Sequence, residues 1–202
     1  RLTEAGSTVP YTTSLTGFDV EKANFPLIIK QQVGGARSKN IFLAKTIDEW
    51  NNIITKIQNM DDYIVMDYIE GDEYTCGTVN LGGECKGVIV MRRILRDGDT
   101  HKCFSEKNQV IEAAVRKVVE VIKPFGACNI QLRMKGGIPY IFEINARCSG
   151  TTASRTLCGF NEPKMIAEYL LMNKEPYFEI EEKTILRYWK ELVIENGSVQ
   201  SL

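Results

Sequence analysis

The chain holds a single histidine, His101, among 202 residues. Its six cysteines, Cys76, Cys85, Cys103, Cys128, Cys148 and Cys158, include no Cys-x-x-Cys pair. A structural or catalytic zinc site needs closely spaced thiolate and imidazole ligands, so this composition argues against one. The same scarcity leaves no Ser-His or Cys-His arrangement for covalent catalysis. No apolar run approaches the ~20 residues of a membrane-spanning helix, and the N-terminus has no signal-peptide core, so no membrane partner is expected. Neither sign of charge is in excess: 25 basic against 26 acidic residues give a net charge of -1. That balance argues against a broad nucleic-acid surface and leaves room only for a local basic pocket. Repeats and low-complexity stretches are absent. Several cysteines lie in apolar runs, where Cys acts as a small buried hydrophobe, so free thiols and a reducing, cytoplasmic setting are expected. The chain opens on Arg1 rather than Met, which suggests a portion of a longer protein.

The most informative stretch is residues 137–152, Gly-Ile-Pro-Tyr-Ile-Phe-Glu-Ile-Asn-Ala-Arg-Cys-Ser-Gly-Thr-Thr. Its period-two alternation predicts a strand with Ile141, Glu143 and Asn145 on one face and Tyr140, Phe142 and Ile144 on the other. A second strand-like run covers residues 129–134, and Lys135-Gly136-Gly137 suits a tight hairpin between them. Pairing across it brings Gln131 near Glu143 or Asn145. Three oxygen ligands for a hard cation would then share one face, with Arg147 beside them for a phosphate oxygen if the strand continues. A strand with one wetted face would carry the same residues without that role.

Upstream, residues 25–30 form a compact apolar strand ending in Lys30, followed by a loop with Gly34, Gly35 and Ser38, then a second strand at 41–44. Glycines let backbone N–H groups approach phosphate oxygens closely, although a plain hairpin also uses them. Thr46 and Glu49 read as a helix cap, with Ile47, Trp50, Ile53, Ile54 and Ile57 as its core stripe. A strand at 63–66 leads into the acidic stretch Asp67-Tyr-Ile-Glu-Gly-Asp-Glu73. A hairpin is expected over residues 74–94, in which Arg92 and Arg93 are placed to meet phosphate or substrate or, by default, stand as surface cations. Gly98-Asp99-Thr100-His101 follows, with His101 read as an exposed strand-end residue. Helices are expected at 105–123, 151–157 and 163–171, and short strand-like pieces at 185–189 and 192–194.

Taken in order, these motifs resemble the ATP-grasp enzymes, especially the carbamoyl-phosphate synthetase large subunit and related carboxylate-amine ligases. The resemblance covers residues 25–172 and implies an α+β fold in which two lobes with antiparallel sheets grip ATP. Residues 1–66 would form the smaller lobe with its glycine-rich flap, and residues 67–202 the larger, with a preceding domain not visible. By the resemblance, Gln131, Glu143 and Asn145 hold magnesium (or manganese). Arg147 contacts phosphate or substrate, and Lys30 charges the phosphates under a flap containing Gly34, Gly35 and Ser38. Asp67 and Ile69 bracket adenine, and Glu73 binds the ribose. Two departures are visible: Arg37, Lys39 and Asn40 stand where further flap glycines are usual, and Asp67 stands where Glu is common. The implied reaction activates a carboxylate or bicarbonate as an acylphosphate with ATP, then transfers it to an amine or ammonia. ATP and that acid are the expected partners, with a preceding domain or a homo-oligomeric partner beside them. A non-catalytic nucleotide-binding module is the alternative, favoured by the altered flap.

Overall fold

A computed structural model describes residues 1–33 and 40–188. Two antiparallel sheets face each other across a cleft. The smaller contains β1 (Thr12–Ser14), β2 (Leu27–Gln31), β3 (Ile41–Ala44) and β4 (Tyr63–Asp67), in the order β1-β4-β2-β3. Alternation along β2 and β4 sends Leu27, Ile29 and Val65 to a core shared with Trp50 and Ile53 of α1 (Ile47–Ile54). Their neighbours Ile28, Lys30 and Met66 line the cleft instead. Thr46 caps α1 by accepting from the Glu49 amide at 3.3 Å. The Glu49 carboxylate reaches back to the Lys45 amide at 2.7 Å, one residue earlier than an ordinary capping box.

The larger sheet contains β5 (Asp72–Leu81), β6 (Glu84–Arg96), β7 (Asp99–Ser105), β8 (Gly126–Lys135), β9 (Ile138–Asn145) and β10 (Thr184–Leu186), in the order β10-β7-β6-β5-β8-β9. The turns at Gly82-Gly83 and Gly136-Gly137 place both glycines at positive φ, the twist that two-residue hairpins favour. One face packs under α2 (Gln109–Ile122), where Ile111, Val115, Val118 and Val119 meet Tyr74, Cys76, Val90, Cys128, Ile130 and Leu132. This helix starts later than expected because residues 99–105 are spent on β7 and Asn108 supplies the cap, its side chain accepting from the Ile111 amide at 3.1 Å. The opposite face is divided. Val79, Leu81, Ile89 and Met91 lie under α3 (Thr152–Leu157), α4 (Glu162–Met172) and the segment around Phe178. The remainder opens onto the cleft.

The expected alternation in β9 is broken. Gln131 pairs with Glu143 but Leu132 pairs with Ile141, so Phe142 is the extra residue of a β-bulge. Ile141 therefore joins Ile144 against the α2 core. Phe142 and Glu143, two neighbours in sequence, both line the cleft. The N-terminal stretch lies along this edge: Thr8 accepts from the Ile141 amide at 2.9 Å, and Leu2 and Val9 pack on the α2 core. All six cysteines are free thiols, four of them buried, and burial pushes Cys76 up to about 12 and Cys128 up to about 11. Among the described residues no helix is long and apolar enough to cross a membrane. The expected strand at 192–194 lies outside the described residues.

Candidate functional site

The cleft holds two adjoining cavities. The first, about 180 Å³, is largely apolar: Ile28, Met66, Ile69, Leu95 and Phe142 line it beside Asp67 and Tyr68. The second, about 930 Å³, is polar and includes Thr75, Asn129, Asn145 and Arg147 in its wall. Lys30, Ile41, Arg93, Gln131, Phe142 and Glu143 border both.

Asp67 ends β4, and its amide donates to the Tyr11 carbonyl at 3.0 Å. Tyr68 to Gly71 then link the two sheets. Within this link the Ile69 carbonyl accepts from Arg133 Nη1 at 3.2 Å, and Arg133 lies over the Tyr68 ring at 4.9 Å. Lys30 points across the cleft from β2 and donates to the Phe142 carbonyl at 3.3 Å. Burial holds its ammonium below the ordinary lysine range, with the nearby Glu143 carboxylate acting in the opposite direction. Gly34, Gly35 and Ser38 lie outside the described residues.

Gln131, Glu143 and Asn145 come together on the cleft face. Glu143 Oε1 accepts from Asn145 Nδ2 at 2.7 Å and from Gln131 Nε2 at 3.2 Å. No cluster of three or more His, Cys, Asp or Glu residues suited to a metal exists among the described residues. The set here is one carboxylate and two amides, and it becomes all-oxygen once the amides rotate. A hard divalent cation fits that chemistry, and a soft one does not. Arg147 departs from the expected geometry. The strand stops at Asn145, whose carbonyl takes the Arg147 amide at 2.8 Å. The Arg147 side chain is exposed and donates to the Cys148 carbonyl at 3.0 Å, while the residue still borders the polar cavity.

The sequence reading passed over Arg133 and took Arg93 by default as a surface cation, yet these two arginines organise the site. Glu73 stands directly opposite Arg93 on β6 and Arg133 on β8. Its Oε1 accepts from Arg93 Nε at 2.8 Å and its Oε2 from Arg133 Nη2 at 2.7 Å. Arg93 Nη2 also donates to Gln131 Oε1 at 2.6 Å, tying Glu73 to the carboxylate–amide cluster. Arg92 projects from the other face, where it pairs with Glu106 at 2.7 Å and lies over Phe104 at 4.3 Å. Asp99 and Thr100 border the polar cavity near Arg187, whose Nη1 donates to the Thr100 carbonyl at 3.1 Å. His101 sits outside both linings, in contact with Arg96 at 2.7 Å.

Comparison with known proteins gives this geometry a family. The chain is similar to a D-alanine–D-alanine ligase of Bacillus anthracis, at 26% identity over 150 residues, 67% of this chain and 48% of the relative. It is also similar to the carbamoyl phosphate synthase large chain of Thermoanaerobacter pseudethanolicus, at 25% over 144 residues, covering 64% of this chain and 13% of that protein. It thus spans about half the length, or less, of the curated relatives it matches. Among solved structures, its fold is similar to an N5-carboxyaminoimidazole synthetase from Staphylococcus aureus complexed with ADP. There the TM-score is 0.76 at 14% identity, over 93% of this chain and 54% of the other. An L-amino acid ligase from Bacillus licheniformis gives a TM-score of 0.67 at 18% identity, over 83% and 44% of the two chains. A family model described as ATP-grasp in the biosynthetic pathway with Ter operon matches residues 59–192, well over half of the sequence, and the chain belongs to that ATP-grasp family.

Proposed function

We propose that this chain forms the nucleotide-binding part of an ATP-dependent ligase that activates a carboxylate, or bicarbonate, as an acylphosphate and passes the acyl group to an amine or ammonia. One observation carries the reading. The cluster of Glu143, Gln131 and Asn145 faces Lys30 across the cleft, beside an apolar cavity of about 180 Å³. An apolar slot next to a set of oxygen ligands and a cation matches the three parts of ATP: base, metal-bridged phosphates and anionic charge.

In this reading Asp67 and Ile69 present backbone groups to the adenine edge, and Glu73 accepts from the ribose hydroxyls. Gln131, Glu143 and Asn145 would hold magnesium or manganese, which supplies charge neutralisation at the phosphate oxygens when bound. Lys30 orients the phosphates from the opposite sheet, under a flap assigned to Gly34, Gly35 and Ser38. Arg147 swings from the Cys148 carbonyl to the oxygens shared between ATP and the incoming acid, where a planar guanidinium grips two at once. Catalysis is then positioning and electrostatic stabilisation, with no covalent nucleophile required from the protein. The similarity to carbamoyl phosphate synthase favours bicarbonate as the acid, and that to D-alanine–D-alanine ligase favours an amino acid.

The test joins binding to turnover. ATP with magnesium raises the melting temperature of the wild-type chain, and Glu143→Ala removes most of the increase. Phosphate release is then screened over bicarbonate and amino acids. An undiminished thermal shift in Glu143→Ala would place the metal elsewhere and overturn the assignment.

A further inference from the structure

We infer that Arg93 couples the two ends of the cleft, keeping the cation site closed until Glu73 is taken by a ribose. This rests on the function proposed above, since it needs Glu73 as the ribose acceptor and Gln131 as a metal ligand.

The first observation is saturation. A carboxylate offers about four acceptor positions. Glu73 fills them with Arg93 Nε and Nη2 on one oxygen, and with Arg133 Nε and Nη2 on the other. A ribose hydroxyl gains access only if a guanidinium N–H leaves. Arg133 is held independently, donating to the Tyr68 hydroxyl at 2.9 Å and the Ile69 carbonyl at 3.2 Å while lying over the Tyr68 ring. Among the described residues Arg93 makes one further hydrogen bond, to Gln131. Arg93 is therefore the partner that yields.

The second observation is the state of Gln131. A guanidinium only donates, so the amide oxygen of Gln131 must face Arg93 and its NH2 must turn toward Glu143. That is the observed arrangement, at 2.6 Å and 3.2 Å. Gln131 thus presents a donor to the carboxylate cluster and an oxygen to a fixed positive charge, both unsuited to receiving a divalent cation. Releasing Arg93 from Glu73 lets it move into the polar cavity it already borders, and frees the Gln131 oxygen to turn inward. Ribose binding and cation binding are then positively coupled through the protein, apart from any phosphate that bridges them.

Adenosine isolates this coupling, because it carries base and ribose but no phosphate to bind the ion. Manganese binding to the chain is followed by electron paramagnetic resonance with and without adenosine. In the wild type adenosine tightens manganese about tenfold, within the usual range of coupling between sites. In Arg93→Met, where Glu73 keeps Arg133, manganese binds tighter without adenosine and adenosine no longer changes it. Arg93→Lys, which cannot span Glu73 and Gln131 together, loses most of the coupling if Arg93→Met fails to fold. A merely structural arginine would lower the melting temperature and leave the adenosine–manganese ratio intact, and that result overturns the inference. Manganese binding that needs Glu143 but ignores adenosine overturns the coupling alone. Binding indifferent to both Glu143→Ala and adenosine overturns the proposed function as well.

Discussion

Two arginine–carboxylate clusters occupy the same face of the larger sheet, a few residues apart on β5, and they are built for opposite purposes. Glu73 with Arg93 and Arg133 borders the cleft, with side chains 11%, 14% and 24% exposed. Arg155 with Glu162 is sealed beneath α3 and α4, each 1% exposed. In the open cluster both Glu73 oxygens are filled by arginine N–H groups, whereas the sealed one leaves Arg155 Nε and Glu162 Oε2 without a partner among the described residues. Thr75 lies between the clusters, and Arg155 donates to its hydroxyl at 3.2 Å and to the Asn129 carboxamide oxygen. Gly77 follows on the same face, where an added Cβ would stand 2.6 Å from Arg155 Nη1 and 2.7 Å from Glu162 Oε1. Absent side-chain volume at Gly77 is what lets the sealed pair sit on the sheet. The difference teaches that an ion pair's role follows its access: a partly open, saturated cluster can exchange one partner for a ligand, and a sealed one can only be kept or broken.

Breaking the sealed pair is expected to have the largest effect. Arg155→Ala strands the Glu162 carboxylate in a buried site, which typically costs about 3–5 kcal/mol. Denaturant unfolding should show that loss, while the molecules that remain folded bind nucleotide normally. Replacing both partners with apolar residues, as in Arg155→Met with Glu162→Leu, should recover much of the stability. If the double variant is as unstable as the single, packing rather than uncompensated charge is the cause.

A fourth arginine extends the comparison to a side chain held more lightly. Among the described residues Arg147 is exposed and donates to one carbonyl, which leaves it available for the role proposed above without cost to the fold. Arg147→Lys should leave ATP–magnesium affinity within a few fold and cut turnover by about 100-fold, the scale of losing one preorganised donor. Loss of nucleotide binding with no separate effect on turnover would make it a ground-state ligand instead.

Within the open cluster, Glu73→Gln should weaken ATP by about tenfold, roughly 1.4 kcal/mol, through the ribose hydroxyls. Titrating ATP and 2′-deoxy-ATP against both proteins forms a cycle, and the deoxy nucleotide should lose less affinity in the variant than in the wild type. Additive losses would remove Glu73 from the ribose.

The order of strands and helices was legible because period-two and helical stripes were long and bounded by glycine turns, caps and Pro124. The hairpin likewise placed Gln131 near Glu143 or Asn145, without the register that decides between them. What alternation could not show was the two bulges that choose the site's partners. Counting back from the Gly82-Gly83 turn pairs Glu73 with Arg92, but the register shifts at Val79 and Asn80 and delivers Arg93 instead. Counting from Gly136-Gly137 sets Gln131 against Phe142, and the shift there supplies Glu143. A bulge turns one strand over relative to its partner, so a residue that sequence reads as a surface cation becomes the organiser of a site. Arg155 and Glu162 were equally silent, because they lie on two short helices and meet only through the tertiary fold.

The smallest effect expected is in pH, and it concerns Lys30. Burial lowers the Lys30 pKa from 10.5, and the Glu143 carboxylate only partly opposes this. Between that lowered value and 10.5 the folded chain binds fewer protons at Lys30 than the unfolded chain does. The contribution of this group to stability therefore rises with pH across that window. Nucleotide affinity moves the other way. A neutral Lys30 must take up a proton before it can pair with phosphate, so ATP binding weakens a few fold as pH climbs through the lowered value. Calorimetric titration of ATP in a pH series should show this decline, and Lys30→Arg should flatten it, because a guanidinium keeps its charge. A decline that persists unchanged in Lys30→Arg would assign the titration to another group and leave Lys30 as a packing residue against Phe142.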